Sequence, residues 1–215
     1  NMELVLIRHG VTAWNQQRRF QGQIHTPLSD EGHQQAMLTA RHLSALRQEQ
    51  PIQAIYASDL KRAWSTAEPI ARLLGLPILK QSLLRERHYG VFEGKTHDEL
   101  QHEGLQSDYQ RWRNREPDFA LPQGGESLRD FFERARRALL TIVAAHQQSE
   151  RIVAVTHGGF LDCAYRIASG VDMSEARQHP LHNASLNRIA WDGERFSMID
   201  WGRIDHLDSI ESRRD

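Results

Sequence analysis

Two stretches of this chain are apolar at every position, Leu4-Val5-Leu6-Ile7 and Ile152-Val153-Ala154-Val155. A strand without polar alternation is covered on both faces, as in a parallel sheet. Shorter runs at 52–57 and 78–81 predict two further strands. Between the strands the period lengthens to that of a helix. Ala36, Met37, Ala40, Leu43 and Leu46 put one apolar face on a helix over 31–48, entered through the turn and N-cap Pro27-Leu28-Ser29-Asp30. A helix over 61–74 is closed by Gly75 and Pro77. A longer one over 127–146 turns Leu128, Phe131, Phe132, Ala135, Leu139, Ile142 and Val143 inward, and another runs on to Ala168. At the end, 185–191 and 196–201 alternate on either side of Asp192-Gly193, the pattern of a hairpin.

The remaining stretches are polar or broken. Residues 16–26 read as a loop, and 83–94 as irregular and rich in charge. Thr96-His97-Asp98-Glu99 is a capping-box pattern opening a polar helical region towards Arg115, and the prolines and glycines of 116–125 make a loop. Strand and helix alternating through short connections predict an α/β fold with a parallel sheet. Without a linker-like segment, 1–215 is expected to be one domain, with a substrate-selecting helix and loop insert at about 95–125.

Composition narrows the function. The 27 basic residues are balanced by 28 acidic ones, net −1, which argues against a nucleic-acid or membrane-surface footprint. No apolar run is long enough to span a membrane. A lone cysteine, Cys163, forms no internal disulfide, so a cytoplasmic location is expected, and its apolar helical surroundings make it a core residue. The 12 histidines show neither an HExxH motif nor Cys/His ligand spacing, and His179 with His182 is too little to hold a metal, so none is expected. Whether the chain is a monomer or a dimer stays open.

The chemistry concentrates where the two fully apolar strands stop. One ends at Arg8-His9-Gly10 and the other at Thr156-His157-Gly158. In a parallel sheet both ends lie on one edge, where α/β proteins bind their ligands, so the two histidines can converge on one pocket. An arginine and a histidine at the end of a buried strand are costly to desolvate unless something there uses them. Gly10 permits a sharp turn and the close approach of a ligand. Arg8 and His9 therefore point either to a phosphate or to an ordinary strand end with a solvated arginine and a structural histidine.

The blocks between them make the pattern specific. Leu-Ile-Arg-His-Gly-Val-Thr-x-x-Asn, followed by Gln21-Gly22, Pro27-Leu28-Ser29 and Gly32, resembles the opening signature of the histidine phosphatase superfamily. The resemblance continues through Ser58-Asp59-Leu60-Lys61-Arg62-Ala63-x-x-Thr66-Ala67, Leu84-Arg85-Glu86-Arg87 with Glu93-Gly94, Gly125-Glu126-Ser127, and Thr156-His157-Gly158. It implies a three-layer sandwich, a mostly parallel central sheet with helices on both faces. It implies His9 as nucleophile through a phosphohistidine, with one ring nitrogen donating to a carbonyl so that the other is free. Arg8 and Arg62 would hold the phosphoryl oxygens, and His157 and Asn15 would add donors. Glu86 would be the general acid and then the base, with Arg85 and Arg87 turned to the opposite face of an extended segment. Thr12, Gln21, Gly22, Tyr89 and Gly158 complete the expected binding residues.

Within that family, two activities compete. The segment from Glu86 to His157 is shorter than in the mutases, and Phe92-Glu93-Gly94-Lys95-Thr96 resembles the phosphatase branch. Glu86-Arg87-His88-Tyr89-Gly90 is instead similar to the mutase version of that block, and Arg111, Arg113 and Arg115 could contact a substrate carboxylate. The expectation is a phosphatase for a small phosphorylated metabolite, needing no cofactor. A phosphoglycerate mutase using 2,3-bisphosphoglycerate is the alternative. A binding protein that has lost its chemistry is disfavoured, since every catalytic position is filled.

Overall fold

In the computed structural model, which describes residues 1–209, the chain forms one six-stranded sheet. The final residues of the expected domain, 210–215, lie outside the described residues. The elements are β1 (Met2–Arg8), α1 (Ala13–Gln16), α2 (Asp30–Ala45), β2 (Ala54–Ala57), α3 (Lys61–Leu74), β3 (Ile78–Lys80), α4 (His97–His102), α5 (Gln106–Arg113), α6 (Leu128–Ala144), β4 (Arg151–Thr156), α7 (Gly158–Ser169), β5 (Leu186–Trp191) and β6 (Phe196–Arg203). The sheet order is β3-β2-β4-β1-β5-β6. β1 to β4 are mutually parallel, and the hairpin β5–β6 joins antiparallel to β1.

The unbroken apolar runs are explained by cover on both faces. From β1 and β4, Leu4, Leu6, Ile152 and Ala154 face α6 and α7, meeting Phe131, Phe132, Leu139, Phe160 and Cys163. The alternate residues Val5, Ile7, Val153 and Val155 face α2 and α3, meeting Ala40, Leu43, Ala63, Ala67 and Ile70. Full burial of each such side chain favours folding by about 1.5–3 kcal/mol. Cys163 is buried in the first of these layers, as expected, and burial pushes its thiol pKa up.

Helix ends follow the signals in the chain. Ser29 and Ser127 accept hydrogen bonds from the backbone N–H groups of Gly32 and Asp130, and Gly75 closes α3 at φ 67°. The region expected to be one polar helix up to Arg115 is two short helices parted at Gly104, which sits at φ +76°. Nor is that region structureless outside its helices. Phe92, Leu100, Phe119 and Leu121 bury together and gather Phe20, Tyr89 and Trp112 around them, a third core beside the sheet. The short helix α1 precedes the loop expected over 16–26 and overlaps it only at Gln16.

The topology puts four different parallel strands' exits on one edge. His9 follows β1, Ser58 and Arg62 follow β2, Glu86 follows β3, and His157 follows β4. β1 and β4 are neighbours, with Arg8 paired to Thr156, so the two histidines sit side by side.

Candidate active site

His9 leaves β1 nearly buried, and its Nδ1 lies 2.7 Å from the carbonyl oxygen of Gly10. A carbonyl can only accept, so Nδ1 carries the proton and Nε2 keeps its lone pair. Burial, then the charges of Arg62 and Arg8, push the His9 pKa well below its ordinary value, the Gly10 bond opposing them. The ring is neutral at neutral pH, with Nε2 free. In an NMR titration it is expected to keep its neutral, Nδ1-protonated signature from pH 8 down past 6.5; a midpoint near 6.5 would contradict this. The sign for stability follows. His157 is depressed in the same way by burial and then by Arg62. Below about pH 6.5 the unfolded chain takes up protons that both folded rings refuse, so the thermal midpoint should fall as pH drops through that range.

Around His9 stand groups with unfilled capacity. Arg62, on the first turn of α3, is 1% exposed and donates to the carbonyls of Ile24 (2.7 Å) and Gly22 (2.6 Å), which leaves its Nε without a partner. Burial pushes its pKa down to about 10, still a cation at neutral pH. Arg8 donates to the carbonyl of Leu181, and its Nε too is unpartnered. His157 is wholly buried with its ring centroid 5.2 Å from that of His9; its Nε2 lies 2.8 Å from Ser58 Oγ, and its Nδ1 has no partner. Buried side-chain nitrogens without a hydrogen-bond partner are thus found on each of Arg8, Arg62 and His157. Buried donors are seldom left so unless a ligand completes them.

Glu86 closes the pocket. Its Oε1 accepts from the Arg87 N–H at 2.8 Å and its Oε2 from the Gly159 N–H at 3.0 Å. A Cβ at position 159 would overlap this carboxylate, so a side chain there would displace it. The neighbours turn away, as an extended segment demands. Arg85 pairs with Asp59 at 2.7 Å, and Arg87 donates to the Glu126 carbonyl at 3.1 Å. Arg134 holds the segment from behind, donating to the carbonyls of Leu83, Arg85 and Glu86 and bridging to Glu126.

Two adjoining cavities share part of their lining. The inner, about 150 Å³, is lined by Arg8, His9, Asn15, Gln21, Gly22 and Arg62, among others. Arg8, Glu86 and Tyr89 also line an outer chamber of about 560 Å³, which takes in Trp112, Arg115, Gly158, Arg177 and His182. Of the residues expected to bind substrate, Thr12 lines neither. It is fully buried and caps α1, accepting from Asn15 N–H while its own N–H donates to Asn15 Oδ1. Its part in the site is to fix Asn15. Gly158 lies against Arg8, whose guanidinium atoms would be 3.2 Å from any Cβ placed there.

The three arginines after α4 separate. Arg111 pairs with Glu116 over the Phe119 ring, Arg113 faces a neighbouring recess, and only Arg115 reaches the chamber. Even Arg115 is engaged, with Asp162 Oδ2 and the Met173 carbonyl, both at 2.8 Å. The same Asp162 is bonded by Arg166 and approached by His179, whose ring stacks on Tyr165. His179 is thus a structural residue, while His182 lines the chamber. No group of three or more His, Cys, Asp or Glu side chains suited to a metal occurs among the described residues.

Several residues here had no signal strong enough to single them out. Arg177 and Asn183 sit in a stretch without periodicity. Glu93, noted only as part of a motif, bonds the backbone N–H groups of Gln23 (3.0 Å) and Tyr89 (2.9 Å), tying two pocket-lining segments together.

Comparison with known proteins agrees with this fold. The family model described as histidine phosphatase superfamily (branch 1) matches residues 4–204. The chain is 38% identical over 208 residues to phosphoglycerate mutase-like protein 4 of Arabidopsis thaliana, covering 96% of this chain and 87% of that one. It is 35% identical over 210 residues to the metal-independent phosphoserine phosphatase of the same plant, covering 97% and 84%. The solved structure of Bacillus stearothermophilus YhfR superposes with a TM-score of 0.85 at 34% identity, covering 96% of this chain and all of that one (100%). With a matching fold and a family model spanning nearly its whole length, this chain belongs to the histidine phosphatase superfamily, branch 1.

Proposed function

We propose that this chain hydrolyses small phosphomonoesters through a phosphohistidine on His9. The observation that carries the proposal is the trio of unpartnered buried nitrogens, on Arg8, Arg62 and His157, around a neutral imidazole. Two guanidinium charges match a phosphate dianion, so the reading calls for no metal and no cofactor. His157, neutral, adds a donor from Nδ1 when Ser58 donates to its Nε2, and Asn15 adds another.

In the first step Nε2 of His9 bonds to phosphorus as the ester P–O bond breaks, and Glu86 gives its proton to the departing alkoxide. In the second, the Glu86 carboxylate takes a proton from water. The hydroxide attacks phosphorus, the P–N bond breaks, and phosphate leaves with His9 neutral again. Charge spread over the equatorial oxygens is stabilised by donors already in place. The chamber that includes Glu86 is also lined by the exposed Arg177, which supports access of water to the intermediate. The relative named a phosphoserine phosphatase supports the same reading. We extend the proposal to the 95–125 excursion, which would choose the alcohol through Trp112 and Arg115 within one catalytic domain.

A mutase is the second reading, favoured by the mutase-like name of the 38% identical relative and by Tyr89 in the lining of both cavities. The two separate on 3-phosphoglycerate in EDTA, with and without 2,3-bisphosphoglycerate. Free phosphate is expected from a panel of phosphomonoesters, with little isomerisation. Fast 2-phosphoglycerate formation with little phosphate would overturn the hydrolase reading.

A further inference from the structure

We propose that His206, in the short turn Asp205–Leu207 after β6, is a positioning residue for the nucleophile, acting through the peptide of Ala184. The inference rests on His9 being that nucleophile. His206 lines neither catalytic cavity. It borders a separate one of about 220 Å³ between α2 and the β5–β6 hairpin, with Leu43, Leu186 and Arg188.

The connection is a short chain of hydrogen bonds. His206 Nε2 lies 3.0 Å from the Ala184 carbonyl oxygen and 3.1 Å from Thr39 Oγ1. Thr39 gives its hydroxyl proton to the Gln35 carbonyl at 2.8 Å, so towards His206 it can only accept. Both neighbours are acceptors, which fixes the proton on Nε2. Burial, with His42 alongside, pushes the ring's pKa down to about 4, so it is a neutral donor throughout the working range.

Ala184 is the other half of the device. It is fully buried at φ 59°, a conformation that non-glycine residues seldom hold unless their surroundings enforce it. Its N–H faces the carbonyl oxygens of Arg8 (3.0 Å) and His9 (3.2 Å). The residue before it, Asn183, donates to the His9 carbonyl at 3.1 Å and to Asn15 Oδ1 at 3.3 Å. Arg8 reaches back to the Leu181 carbonyl in the same segment. One strained turn therefore grips the backbone of the nucleophile, the side chain of its clamp and a pocket amide, and His206 holds that turn from outside.

A displacement of about 1 Å at a reacting group can cost on the order of 10²-fold in rate. His206→Phe keeps a ring but has no donor, whereas His206→Gln keeps an N–H at similar reach. On a phosphomonoester the Phe variant is expected to lose at least about tenfold in kcat with a smaller change in KM, since His206 itself touches neither catalytic cavity. The Gln variant is expected to recover to within about threefold of the parent. In the Phe variant the His9 Nδ1 proton resonance should shift, and in the Gln variant it should return. Unchanged kcat with Phe, or equal losses with Phe and Gln, would overturn the proposal. Should the Phe variant not fold, His206→Ala is assayed with and without added imidazole. Recovery of kcat supports the device, and no recovery overturns it. His9→Ala is the control for the reading beneath: if that variant stays active the nucleophile assignment has failed, whereas inert His206 variants beside a dead His9→Ala remove only this inference.

Discussion

Replacing His9 by alanine is expected to lower phosphate release from p-nitrophenyl phosphate by at least about 10⁴-fold, in EDTA, with the fold intact. The loss is large because Arg8, Arg62 and His157 are arranged about a phosphoryl group but none of them can accept it. Guanidinium groups are not nucleophiles, and His157 carries its proton on Nδ1 when Ser58 donates to its Nε2. The variant should still bind phosphate or vanadate, since the unpartnered nitrogens that would hold the anion are not removed. Rapid quenching of the parent enzyme should trap a phosphorylated histidine that the variant lacks. Undiminished turnover in the variant would sink the assignment.

Glu86→Gln is expected to give the next largest effect, about 10²–10⁴-fold on an alkyl phosphate. The two backbone N–H groups that grip the carboxylate present one donor to each oxygen. A glutamine amide satisfies one of them and opposes the other with its NH₂, so some loss of position accompanies the loss of the proton. The chemistry separates these contributions. A p-nitrophenolate leaves without help, so the first step on its ester should suffer much less than on the alkyl ester. Equal losses on the two would mean that Glu86 holds shape rather than delivers a proton.

Much of this arrangement can be read from the chain, and particular residues show why. Val5, Ile7, Val153 and Val155 are apolar because helices cover both faces, so the strands declare themselves without alternation. The edge where they end is then dictated by parallel topology, and the residues standing there, His9 and His157, are visible as polar breaks. Thr12 was legible as part of the motif but not as a cap, because a capping hydroxyl and a binding hydroxyl look alike in a sequence. The region after Glu86 was harder. Its order comes from Phe20, Phe92 and Trp112 packing across long separations, which leaves no local period. The same holds for Asp162, whose helix position predicts nothing about the arginines and histidine that converge on it. Likewise Ala184 shows no sign in sequence of its left-handed backbone, since glycine would be the usual signal.

The pairing of Arg8 with Thr156 has a consequence for how such a chain can change over generations. Side chains alternate between the two faces of a strand, so deleting one residue from β1 or β4 would turn its histidine away from its neighbour and reverse every core contact before it. Between those strands the restriction lifts. Residues can be added to the excursion after Glu86, even by whole helices, without altering the distance between His9 and His157, because that distance is set by adjacent strands rather than by the chain joining them. Insertions and deletions should therefore be all but forbidden in two stretches of half a dozen residues and freely sampled around α4 and α5, so that new alcohols can be tried against unchanged phosphate chemistry.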